Sequence, residues 1–126
     1  VQFITKEDAI RALREAVAER GEDYVYQLLD GGACLYVHNE APSCGVGLAL
    51  SKLGVPLSIL KQMDDYGLGS SMDDASPVLH ENGYALERGA YAAFREFQHT
   101  QDSGVKWGAA LLFALVADEL ADDLDV

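Results

Sequence analysis

Basic residues are scarce in this chain: nine Lys and Arg stand against 21 Asp and Glu, a formal net charge of −12. Non-specific nucleic-acid binding works by neutralising phosphates with Lys and Arg, so the composition argues against it and favours solubility or a basic partner. Long apolar runs are also missing. A membrane-spanning helix needs about 20 predominantly apolar residues, whereas the most apolar run, Ala109–Ala117, is short and is followed by acids. No basic segment precedes an apolar one near the first residue, so no export signal is read and a cytoplasmic location is expected. Cysteine is limited to Cys34 and Cys44. Without an export signal these read as reduced thiols, although a bridge across their nine-residue spacer is geometrically conceivable. The phosphate-cradling, dinucleotide-binding, nucleophile-elbow and EF-hand motifs are absent, and no catalytic residue, cofactor or metal is assigned.

The 126 residues suit one domain, with enough chain to bury a core without a disulfide or metal. The acids are grouped. Asp64, Asp65, Asp73, Asp74 and Glu81 lie between Lys61 and Arg88, and Asp118, Glu119, Asp122, Asp123 and Asp125 follow Lys106 with no further base. The first twenty residues are balanced by Lys6, Arg11, Arg14 and Arg20.

Thr5 is a good helix N-cap, Glu7 and Asp8 suit the positive end of the helix dipole, and Ile10, Leu13 and Val17 make a stripe at helical spacing that Gly21 ends. The β-formers Tyr24–Leu28 and Cys34–His38 flank Leu29-Asp30-Gly31-Gly32, which predicts a β-hairpin. Asn39–Ser43 reads as a loop. A helix follows to about Leu53, in which Gly45 and Gly47 are costly unless another element approaches closely there. Pro56 starts a short helix over Leu57–Asp65. Residues 67–83 are rich in Gly, Ser, Asp and Asn and predict an acidic loop. Leu86–Thr100 predicts a strong helix, and Ser103 is suited to cap a last one running to about Leu120, before an acidic tail at 121–126. The expectation is an α+β domain, mostly helical, with four to five helices and one short antiparallel hairpin.

Chemistry-bearing side chains crowd between Tyr24 and Gly54. Cys34, Tyr36, His38 and Cys44 are the ligand candidates. Cys34, His38 and Cys44 could join a metal with Glu40, but a structural zinc site takes four ligands and usually a short C-x₂₋₄-C knuckle. The run His38-Asn39-Glu40…Pro42-Ser43-Cys44 imitates a zinc-deaminase signature, yet the halves are too close and the second cysteine is missing. A Cys44–His38 nucleophile pair would sit in acidic surroundings that disfavour a thiolate. The bland reading, two buried thiols and a polar strand-end histidine, is preferred. Ala49–Met63 has the outline of a helix-turn-helix around Leu53-Gly54-Val55, but Asp64 and Asp65 would face the phosphates.

The run YVY…GG-x-C-x-YVH…PSC-x-VG-x-AL…LGVPL, Tyr24–Leu57, with QDSG-x-x-WG-x-AL at Gln101–Leu111, resembles small proteins of actinobacterial phages and their hosts. That family carries no assigned activity, so no catalytic residue transfers. The resemblance implies an accessory protein in the bacterial cytoplasm that acts on a host protein.

The function expected is therefore non-enzymatic: protein–protein interaction with a host partner or with itself. The interaction candidates are Trp107, Phe113 and Val116 of the last helix and the acids Asp64, Asp65, Asp73 and Asp74. The alternatives are a nucleic-acid regulator, either a helix-turn-helix reader or an acidic DNA mimic, and a small-molecule or metal binder around Cys34, His38 and Cys44.

Overall fold

A computed structural model describes residues 2–27, 35–65 and 72–124, with the side chains of 73, 74 and 118–124 left aside. The chain begins with β1 (Gln2–Ile4) and α1 (Lys6–Arg20). Thr5 and Asp8 form a reciprocal capping box at the start of α1: the Asp8 amide donates to Thr5 Oγ1 and the Thr5 amide to the Asp8 carboxylate, each at 3.1 Å. Gly21 ends the helix at φ 102°, where a side chain would be strained.

Next come β2 (Val37–His38), β3 (Ala41–Pro42), α2 (Gly45–Lys52) and α3 (Leu57–Asp65). Among the described residues α4 (Met72–Glu81), β4 (Tyr84–Leu86), α5 (Arg88–Asp102) and α6 (Trp107–Leu124) complete the chain. The fold is α+β and mostly helical, as the sequence predicts, with six helices among the described residues where four to five were expected, and no helix of the described residues is long and apolar enough to cross a membrane.

Several boundaries differ from expectation. Tyr24–Gln27 is not a strand, and the predicted turn at 29–32 lies outside the described residues. The antiparallel hairpin is instead β2–β3, turning at Asn39 (φ 52°) and Glu40 (φ 61°). Two consecutive left-handed residues make this a type I′ two-residue hairpin turn. Asn tolerates that region, whereas Glu is strained there. The expected acidic loop contains α4, in which Met72, Ala75, Val78 and Leu79 are buried. That apolar stripe outweighs Pro77, which has no N–H for the helix ladder. Residues 121–124 continue α6 rather than forming a separate tail.

A parallel pairing of β1 with β4, Gln2 opposite Tyr84 and Ile4 opposite Leu86, was not anticipated. It sets α1 and α5 side by side, since each helix leaves its strand in the same direction. α5 and α6 pack as a pair, α1 lies against α2 and α5, and α3 packs on α4 and the hairpin. Leu13, Leu50, Leu60, Met63, Leu79, Phe94, Phe97 and Trp107 fill the core.

The glycines of α2 show why a helix tolerates them. A Cβ on Gly45 would overlap the Phe97 ring, and one on Gly47 would lie 2.5 Å from the Tyr36 carbonyl oxygen. Close approach is therefore their use.

Candidate functional site

The densest polar architecture lies where the hairpin meets α3 and α5. Tyr36 is fully buried. Its hydroxyl accepts from Gln98 Nε2 at 2.9 Å and faces Met72 Sδ at 3.7 Å. Its backbone N–H and that of Val37 both donate to the Asp64 carboxylate, at 2.8 and 3.0 Å. One α3 side chain thus satisfies two amides on the outer edge of the hairpin. Burial pushes the Asp64 carboxyl up from its ordinary 3.8, against the pull of those two amides. Asp64 is a half-buried clamp here, not part of an open acidic face. Asp65, its neighbour, is exposed, and the side chains of Asp73 and Asp74 lie outside the described residues.

Cys44 is the N-cap of α2, its Sγ accepting from the Gly47 amide at 3.4 Å. It is fully buried, while His38 is exposed on the hairpin. Cys34 lies outside the described residues, so the expected cluster is not assembled within them. Among the described residues no group of three His, Cys, Asp or Glu could hold a metal ion.

Arg20, at the end of α1, donates to the carbonyls of Ser43 and Pro42, the latter at 2.9 Å, and fixes the hairpin's exit. Tyr26 Oη lies 2.8 Å from Ser43 Oγ on the same stretch. The Arg20 guanidinium also lies over the rings of Tyr24 and Trp107, at 5.5 and 5.2 Å. Trp107, expected at an interaction surface, is fully buried. It meets Tyr24 and Phe97 edge to face. Its size and aromatic neighbours make it the anchor of α6, not a contact for a partner.

On its outer side the hairpin faces α3 across a cavity of about 700 Å³. Leu35, Val37 and Leu57 supply its apolar lining. Glu40, Asp64 and Asp65 give it negative charge, with Lys61 the single Lys or Arg of the lining.

The helix-turn-helix outline keeps its Gly54 turn, at φ 94°. The two helices have separate allegiances, however: α2 packs on α1 and α5, α3 on α4 and the hairpin.

The second notable surface is the outer face of α6. Leu112, Phe113 and Val116 are 65, 50 and 41% exposed. Their spacing places them on one face of the helix, opposite the buried Trp107, Ala110 and Ala114. The sequence marks Phe113 and Val116; Leu112 was missed, though it stands four residues before Val116. A depression of about 360 Å³, bordered by Leu111, Leu112 and Lys106, adjoins this face.

Comparison with protein-family models, curated proteins and solved structures finds no match to this chain.

Proposed function

We propose that the protein is an interaction module whose contact element is α6 and whose partner is a second copy of the chain. The observation that carries this reading is the row Leu112, Phe113 and Val116, three large apolar side chains exposed together on one helix face. Covering such a row removes apolar surface from water, worth about 25 cal/mol per Å² before the cost of association.

Charge favours a particular geometry. The last turns of α6 carry Asp118, Glu119, Asp122 and Asp123, while Lys106 immediately precedes its first turn. A parallel pair would bring both acid groups together. An antiparallel pair places them at opposite ends of a helix about 27 Å long, beyond a Debye length at physiological salt. Antiparallel packing about a two-fold axis also closes the assembly at a dimer.

Light scattering on the eluting protein tests this directly. The intact chain is expected at twice the chain mass and Phe113→Glu/Val116→Glu at the chain mass, with unchanged far-UV circular dichroism because both side chains are exposed. Capture of a different protein that survives the double substitution would move the contact away from this face.

A further inference from the structure

The cavity between the hairpin and α3 is independent of α6, and its chemistry is mixed. Its volume, about 700 Å³, falls within the range of small-molecule sites, roughly 300–1,000 Å³. Leu35, Val37 and Leu57 offer an apolar lining, and Leu57 is 40% exposed although it stands at the first position of a core-packed helix. Around them Glu40 and Asp65 are exposed carboxylates with no ion pair among the described residues. Asp64 is different: both its oxygens are already taken by backbone amides, so it contributes field and not a free ligand atom. Three carboxylates against Lys61 leave the cavity negative.

We infer that this cavity binds a small amphiphilic cation, its apolar body against Leu35, Val37 and Leu57 and its positive group between Glu40 and Asp65. An anion of the same shape would gain the same apolar burial but meet the acids, and a fully polar cation would lack the burial. The pairing of an apolar lining with carboxylates therefore selects both halves of the ligand. Glu40 holds its place in a turn position where glycine is favoured. Glu40→Gly thus removes the charge without removing the turn.

The test is an amide chemical-shift titration of the full-length protein with phenethylammonium, and in parallel with phenylpropanoate, an anion with a matched ring and chain. The cation is expected to shift the amides of Val37–Glu40 and Leu57–Asp65 at millimolar concentration, while the anion leaves them in place. Glu40→Gly/Asp65→Asn is expected to weaken the cation about tenfold at low ionic strength, with melting temperature held or raised. Equal response to the two probes, shifts centred elsewhere, or unchanged affinity in the double variant would overturn the assignment. So would a response to a Lys- and Leu-rich peptide alone, which would make the cavity a peptide groove. None of these outcomes depends on whether the chain is a dimer.

Discussion

Asp64 shows how one side chain can hold an element in place. Its two oxygens receive the amides of Tyr36 and Val37, and an Asn there would turn one acceptor into a donor facing an N–H. Asp64→Asn is expected to lower stability by about 2 kcal/mol, with faster hydrogen exchange at those two amides. The pH dependence has a definite sign. Because the folded-state pKa is raised above 3.8, the folded chain binds this proton more readily than the unfolded chain. Its contribution is then fully present below the ordinary value and is lost as pH rises through the raised one. The stability gap between the wild type and Asp64→Asn should widen as pH falls into that window, read by urea unfolding at a series of pH values. A gap that narrows on acidification would show that the two amides, and not burial, set the sign of the shift. Asp8 has the opposite sign: its pKa is lowered, first by the Thr5 amide, so its contribution is lost as pH falls. Glu40→Gly, which relieves a left-handed side chain, is expected to raise stability by about 0.5–1 kcal/mol in the same unfolding measurement.

At the scale of elements, α2 is held against two neighbours by what its glycines lack. Gly47→Ala adds about 1 kcal/mol of helix propensity, but its Cβ would meet the Tyr36 backbone at 2.5 Å. Backbone yields less readily than a side-chain end, so a net loss of about 1–2 kcal/mol is expected on thermal or urea unfolding. A gain would mean that the hairpin can move away from α2.

The same elements show what a sequence can convey. α1 was legible because its cap, its stripe and its glycine stop agree, and α3 because Pro56 and the Leu57, Leu60, Met63 spacing agree. α4 was hidden because Asp73, Asp74, Ser76 and Pro77 interrupt the four apolar residues that hold it in the core. The hairpin was displaced towards the β-rich Tyr24–Leu28 because its real turn has Glu40 where glycine would signal it, and Pro42 in its second strand. The β1–β4 pairing joins three-residue strands far apart in sequence, Gln2–Ile4 and Tyr84–Leu86, too short to show alternation. Of the site, Tyr36, His38, Glu40, Asp64 and Asp65 were marked in advance, though in other roles. The cavity was not, since it arises from a hairpin and a helix separated in sequence.

For the whole molecule, a net charge of −12 means that copies repel one another except where an apolar face offsets the repulsion. In the proposed dimer α6 provides that face, and its acids stand towards one end of the helix. Self-association should therefore strengthen as added salt screens the repulsion, whereas a contact built from ion pairs would weaken. Sedimentation at low and high salt distinguishes the two.

The most direct measurement is the solution mass of the intact chain beside that of Phe113→Glu/Val116→Glu by light scattering. A dimer reduced to a folded monomer by the two substitutions is the predicted result. A monomeric wild type, or a dimer that survives them, would contradict the role given to α6.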